Sequence, residues 1–356
     1  MCWFFVVIEL QNFAGSFFIG GRMSTVVLDV MGADLGLETV VKGACQLSLE
    51  KETKIILVGD AEHIQKVLDR TEHDHERLFI EGAEEVISME DDPRISRPKS
   101  SLYKAASLVA QGRGDALVSA GNTGAVVVAS SRLFQRLEGV DKVALAAVYP
   151  TRKTHGPKND PFALLLDVGA TLHVKAKDLL CFALMGSVYA KIISENPHPK
   201  VALLSNGAEP QKGAPEVVEA HQLLIQQDSI FFAGNVEGID IPKGTVDVVV
   251  CEGFLGNVVL KMIEGVGEAA ATMIRASQKD TEPSELLLYK QVSRFVELTD
   301  WREYGGAPIL GLEHVVIKAH GRSTSRAIRN AIKLASRASN RGMVEKIRDG
   351  MKRVLS

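Results

Sequence analysis

The sequence predicts an α/β fold: a mostly parallel, doubly wound sheet in two lobes, with a protruding helical hairpin. Three observations carry that expectation. Short β-branched runs alternate with segments of helical period from Thr25 onward. Runs such as ALLLDV (Ala163–Val168) and VDVVVCE (Val246–Glu252) are apolar almost throughout, as strands buried on both faces must be. Glycine with small polar residues follows many of these runs, where an open α/β sheet places its ligand loops.

Taken in order, strands are expected at Thr25–Val30, Lys54–Gly59, Leu78–Glu81, Asp115–Ser119 and Val143–Tyr149. Further strands are expected at Ala163–Val168, Val201–Asn206, Ile230–Gly234, Val246–Cys251 and His314–Ala319. Amphipathic spacing predicts helices over Leu37–Lys51, Ser101–Gln111, Ala125–Leu137, Lys177–Ile193 and Pro215–Gln227. The alternation breaks once, from about Gly256 to Thr299. Two successive helices fit there, joined near Asp280–Pro283, with Pro283 in the first turn of the second. The expected organisation is therefore an extension over 1–22, an α/β unit over 23–345 with its hairpin at about 256–299, and a basic tail over 346–356.

The first residues, MCWFFVVIELQNFAGSFFIGG, carry no Lys or Arg before Arg22, so the basic start of a signal peptide is missing. Glu9, Gln11 and Asn12 interrupt the apolar run, which is too short and polar for a membrane span. The segment reads as an extension ahead of Met23.

Composition narrows the function. The chain has 356 residues, 46% apolar and 24% charged, the balance of a globular protein rather than a disordered one. Its 41 Lys and Arg stand against 44 Asp and Glu, a net charge of −3 that lacks the basic surplus of a nucleic-acid binder. Cys2, Cys45, Cys181 and Cys251 form no CxxC pair, which excludes a zinc ribbon and fits reduced thiols in the cytoplasm. GxxxxGK[ST], HExxH and GxSxG are all missing, against P-loop, zincin and α/β-hydrolase chemistry. Gly265–Ala270 fits GxGxxA but falls inside a helix rather than at a strand exit, so no dinucleotide fingerprint is read there.

Five strand exits carry candidate site residues. They are Gly32 and Asp34; Gly121, Asn122, Thr123 and Gly124; Gly169–Thr171; Gly207, Glu209, Lys212 and Gly213; and Glu252, Gly253, Gly256 and Asn257, with Lys261 one turn beyond. If the strands are parallel, all five point at one crevice. The AGNTGA loop is the sharpest: its glycines let the backbone approach an anion, Thr123 can cap the helix, and free N–H groups face the loop. His320, at the exit of the last strand, is a further candidate. From Lys318 to Ser356 eleven Lys and Arg face only Glu345 and Asp349. Arg326, Arg329, Lys333, Arg337 and Arg341 recur at helical spacing, a stripe suited to an acidic partner or an anionic surface.

DVMGAD (Asp29–Asp34), SAGNTGA (Ser119–Ala125), LLDVGA (Leu165–Ala170) and ALMGSVYA (Ala183–Ala190) together resemble the PlsX family of phosphate acyltransferases. So do GNVEGID (Gly234–Asp240), VVVCEGFLGNVVLK (Val248–Lys261), EYGGAPILGL (Glu303–Leu312) and the AHG of Ala319–Gly321. The matches keep the family's order and span about Met23 to Leu334. Ala33 stands where the family usually has a second Gly, and Ala170–His173 where it has Ala-Asn-Val-Asp. The resemblance implies the isocitrate and isopropylmalate dehydrogenase-like fold and a homodimer. It also implies transfer of a fatty acyl group from acyl-[acyl-carrier-protein] to inorganic phosphate, giving acyl-phosphate for phospholipid synthesis. A downstream glycerol-3-phosphate acyltransferase would consume the product, and the enzyme would be cytoplasmic and peripherally membrane-associated.

No activated nucleophile is needed, because phosphate attacks and a thiol leaves. Asn122, Thr123, Lys261 and His320 are the expected catalytic set, with no cofactor or metal. Gly32, Asp34, Gly121, Gly124, Lys212, Gly256 and Asn257 would bind phosphate or substrate. Arg326, Arg329, Lys333 and Arg337 would meet the acidic carrier protein. Met273, Ile274, Leu286, Leu287 and Leu288, near the hairpin tip, would touch the membrane interface. The competing readings are an NAD-dependent hydroxy-acid dehydrogenase of similar fold, a small-acyl phosphotransacetylase, and a non-enzymatic acyl sensor or scaffold.

Overall fold

The computed structural model describes residues 23–277 and 305–355. Residues 1–22 and the second arm of the expected hairpin lie outside them, as do Leu286, Leu287, Leu288 and the side chain of Ile274.

The described strands are β1 (Thr25–Asp29), β2 (Lys54–Gly59), β3 (Leu78–Gly82), β4 (Ala116–Ser119), β5 (Ala144–His155) and β6 (Asp160–Leu166). They continue with β7 (Lys200–Leu204), β8 (Phe231–Val236), β9 (Val248–Val250), β10 (Ala307–Leu310) and β11 (Val315–Lys318). All belong to one sheet, ordered β3-β2-β1-β4-β11-β10-β5-β6-β9-β7-β8. The helices are α1 (Gly36–Ser48), α2 (Ala61–Leu68), α3 (Ser101–Ala110), α4 (Thr123–Leu133), α5 (Ala176–Ile192) and α6 (Pro215–Ile225). After them come α7 (Gly253–Ser277), α8 (Ser325–Asn340) and α9 (Met343–Leu355).

Each central strand divides its side chains between two apolar layers. Val26 and Leu28 of β1 enter one layer and Val27 the other; Leu164 and Leu166 of β6 part from Leu165 in the same way. This explains the unbroken apolar runs in the sequence, since neither face of these central strands is left for water. Residues of α1, α5 and α8 pack in the first layer, and those of α3 and α4 in the second. Helix α5 is buried nearly all round, matching its apolar composition on every face.

The sheet is mostly parallel, and its exceptions correct the expectation that all five exits share one direction. β3, β2, β1, β4 and β11 are parallel to one another, as are β6, β9, β7 and β8. Between these blocks β10 pairs antiparallel with β11 and with β5, and β5 pairs antiparallel with β6. The second block therefore runs opposite to the first in hydrogen-bonding sense. The missed element is β10, four residues containing Pro308 between glycine-rich turns, too short to show a period. The β5–β6 ribbon is also longer than expected, reaching His155 and Asp160. At the chain's end, residues expected as a basic tail continue α9, whose Ile347 and Met351 are buried.

Candidate functional site

Three strands of the first block end side by side. In register, Asp29 of β1 and Lys318 of β11 both flank Ser119 of β4. Asp29 and Ser119 are fully enclosed and Lys318 is only 5% exposed. Ser119 Oγ donates to Asp29 Oδ2 at 2.7 Å and accepts from the Gly121 N–H at 3.1 Å, so the layer is bonded to the loop above it. Lys318 Nζ donates to the Ala319 carbonyl. Burial pushes Asp29 up to about 6, against the bonds from Ser101, Ser119 and Met31. Burial also brings Lys318 down to about 7; Asp34 and Asp29 resist the shift and Lys261 assists it.

The expected site residues of this block cluster on that layer. Gly32 adopts φ +79°, a conformation that favours glycine, and any side chain there would press on the Ile87 carbonyl and on Gly121. The Asp34 N–H donates to the Gly321 carbonyl at 2.9 Å, which holds the exposed Asp34 against the β11 exit. Beside it, His320 Nδ1 accepts the Arg322 N–H at 3.1 Å. A backbone N–H can only donate, so in the neutral ring the proton sits on Nε2.

Asn122, not Thr123, caps α4. Its Oδ1 accepts the Ala125 N–H at 3.1 Å, while its amide donates to the carbonyls of Met89 (3.0 Å) and Asp91 (3.3 Å). The Asn122 side chain is thereby committed, and its expected role as a donor to substrate is corrected to that of a clamp. Thr123 is exposed at the helix start, and the Thr123 and Gly124 N–H groups have no intrahelical acceptor. With the positive end of the helix dipole they form an anion-directed terminus.

A second group forms where β6 and β9 end. The buried Asp167 carboxylate collects the N–H groups of Leu145, Gly169, Ala170 and Thr171, plus the Thr171 hydroxyl. Desolvation still raises its pKa. Thr171 Oγ1 in turn accepts the Gly253 N–H at 3.0 Å, joining the β6 turn to the start of α7. A methyl group on Gly256 would overlap the Asp167 carbonyl. That close approach explains Gly256 as a packing residue, not the ligand contact expected from sequence. Asn257 is exposed and lies beside Gly169.

Lys261, two turns along α7, links the two groups. It lies close enough to Lys318 for like-charge repulsion to lower the Lys318 pKa, and it pairs with Glu264 at 2.8 Å. Lys212 is placed differently: its N–H donates to Glu209 and its stem packs on Gly207, within its own loop after β7. The basic stripe is also spoken for. Arg329 and Lys333 share Glu50, while Arg337 and Arg341 share Glu195. Arg326 is engaged in an interaction of its own. Met273 is 70% exposed, and Phe254, Val258, Met262 and Val266 continue an exposed apolar row along α7.

Sequence reasoning passed over Asp29, Ser119 and Lys318. The signal was available: each is a polar residue closing an otherwise apolar strand, directly before a glycine-containing exit. Asp167 carries the same mark. The loop around Met89–Asp91 had none, because its contribution is made by main-chain carbonyls.

The family described as fatty acid synthesis proteins matches residues 24–346 of this chain. A phosphate acyltransferase of Trichlorobacter lovleyi is 39% identical over 328 residues, covering 90% of this chain and 93% of its own. One from Heliobacterium modesticaldum is 40% identical over 331 residues, covering 91% and 96%. Among solved structures, a phosphotransacetylase from Streptococcus pyogenes superposes with a TM-score of 0.62 at 14% identity, over 89% of this chain and 94% of that one. A putative 4-hydroxythreonine-4-phosphate dehydrogenase from Salmonella typhimurium superposes with a TM-score of 0.52 at 12% identity, over 89% and 99%. These structures share the fold, including its dehydrogenase-like form.

Proposed function

The chain belongs to the phosphate acyltransferase family, and from that premise we infer that its glycine-lined site moves a fatty acyl group from acyl-[acyl-carrier-protein] to inorganic phosphate. It is an acyltransferase of fatty acid and phospholipid synthesis. The observation that supports the site assignment is the proximity of Lys261 on α7 to Lys318, which ends β11 in register with Ser119 of β4, the strand that leads into the start of α4.

Phosphate rests on the Thr123 and Gly124 N–H groups, held by the Thr123 hydroxyl and the Lys261 ammonium. Gly32 and Gly121 keep the floor clear, and Asp34 borders it. A phosphate oxygen attacks the thioester carbonyl, and the carbonyl π pair becomes an oxyanion. His320 Nε2–H and the Asn257 amide are the donors for that charge. The oxyanion then collapses, the C–S bond breaks, and acyl-phosphate and the carrier thiolate leave. A thiol with pKa of about 8.5 departs without strong acid help, so no dedicated general acid is required. Asn122 acts by holding the loop; Lys212 carries no step.

The finer features belong to the same reading: two lobes, a protruding hairpin, a homodimer and transient membrane contact. The exposed apolar row of α7 supports such a surface, and a membrane-bound glycerol-3-phosphate acyltransferase would consume the acyl-phosphate. No described helix is long and apolar enough to cross a membrane.

The test mixes long-chain acyl-carrier protein, phosphate and the purified protein, and follows free thiol. Release that depends on phosphate is expected, with acetyl-CoA a far poorer donor. Thiol release without phosphate, or a preference for acetyl-CoA, would refute the reading.

A further inference from the structure

Resting on the reading that the β4–α4 loop holds phosphate, we propose that Lys318 is a positioning cation beneath that loop, charged by the arriving anion and discharged when it leaves. Lys318 ends β11 in register with Ser119, and Ser119 bridges the Gly121 N–H above to the Asp29 carboxylate at its side. The groups that face its ammonium come from three elements: Asp29 from β1, Asp34 from the loop after β1, and Lys261 from α7. Two carboxylates favour the charged form, while Lys261 and the loss of water oppose it.

That balance leaves Lys318 poised near neutrality, at about 7, and Asp29 at about 6. A dianion placed on the loop adds negative charge close by and tips Lys318 towards the ammonium form. Binding of the anion therefore takes up a proton. Lys318 is too enclosed to be read as a substrate contact, and its ammonium is already bonded to the Ala319 carbonyl. Its effect is electrostatic: it supplies a second cation under the anion only while the anion is there. An empty site is thereby spared a buried ammonium set against Lys261. Asp29, at about 6, is already ionised at about pH 8 and adds little to the uptake there, and the Lys318 variants separate Lys318 from His320 beside the loop.

The test is titration calorimetry of the full chain with sulfate, a dianion across the whole range, in buffers of low and high ionisation enthalpy. The wild type takes up a large fraction of one proton per sulfate at about pH 8, and its Kd rises about tenfold over the next pH unit. Lys318→Gln and the permanently charged Lys318→Arg both abolish the uptake, with circular dichroism reporting the fold. Absence of uptake in the wild type overturns the proposal even if neither variant folds, and so does uptake that persists in either folded variant. Lys261→Ala and Thr123→Ala separate the two levels: sulfate affinity unchanged in both would remove the loop from the site. Affinity lost in them without wild-type proton uptake would leave the site standing and refute the role of Lys318.

Discussion

The Asn122 amide donates to the Met89 carbonyl at 3.0 Å, so the residue that caps α4 also pins the loop crossing in front of it. Two variants divide these tasks. Asn122→Asp keeps an acceptor for the Ala125 N–H but has no amide to offer Met89 and Asp91. Asn122→Ala loses both functions, at a cost of about 1 kcal/mol for the cap. Both variants should lose turnover and become sensitive to limited proteolysis between Ser88 and Asp92. Only the alanine variant should lose much stability in urea. A protease-resistant, fully active Asn122→Asp would show that the clamp does not matter.

Lys261 on α7 lies near Lys318, at the exit of β11. Its exposed pair with Glu264 contributes little stability. Lys261→Ala should therefore leave the melting temperature nearly unchanged while phosphate-dependent thiol release falls about tenfold or more. Glu264→Gln, which frees the ammonium, should stay close to wild type. Equal losses in the two variants would mean that the pair, not the lysine, matters.

Most strands of the sheet were legible because burial on both faces leaves an unbroken apolar run such as Val248–Val250. The direction of the second block was not legible, since it depends on β10, whose four residues carry no period of their own. The candidate site was legible where the backbone itself is unusual, as at Gly32 with its φ of +79°. It was illegible where function is carried by a residue's neighbours. Gly256 has the sequence setting of a ligand glycine, yet Asp167 packs against it, and Asn122 has that of a free donor, yet its amide is bonded to the Met89 and Asp91 carbonyls. Lys318 carries in the sequence only the mark it shares with Asp29 and Ser119, a polar residue closing an apolar strand, and its enclosure beside them comes from the fold.

The Asp29–Lys318 layer should print a signature on stability against pH. Asp29 is raised from 3.8 to about 6, so the native state holds more protons than the unfolded chain within that window. Its contribution is full at lower pH and is lost as pH rises through about 6. Lys318 is lowered from 10.5 to about 7, so there the unfolded chain holds the extra proton. Its contribution is present in strong alkali and is lost as pH falls through about 7. Urea midpoints should reveal the two arms by difference: Asp29→Asn removes the acid arm and Lys318→Gln the alkaline arm, each also shifting the arm that remains because the two groups interact. Wild-type slopes in both variants would contradict the burial of the pair.

The basic face of α8 should prove structural. Lys158, Arg337 and Arg341 all pair with Glu195, at 2.5, 2.6 and 2.8 Å. Partial burial pushes the Glu195 pKa up, but Lys158 and Arg341 outweigh it and hold the carboxyl down near 2. A depressed carboxylate stabilises the fold at pH above its unfolded value of 4.5, and that contribution fades as pH falls towards about 2. Glu195→Gln should thus lower the melting temperature at neutral pH, by a margin that shrinks as the solution is acidified. Arg337→Ala should do the same while changing the KM for acyl-carrier protein by no more than about twofold, because a cation spent on Glu195 adds little to steering. A large rise in KM with an unchanged melting temperature would return the stripe to a docking role, and Glu50→Gln, which releases Arg329 and Lys333, would then be expected to tighten carrier-protein binding.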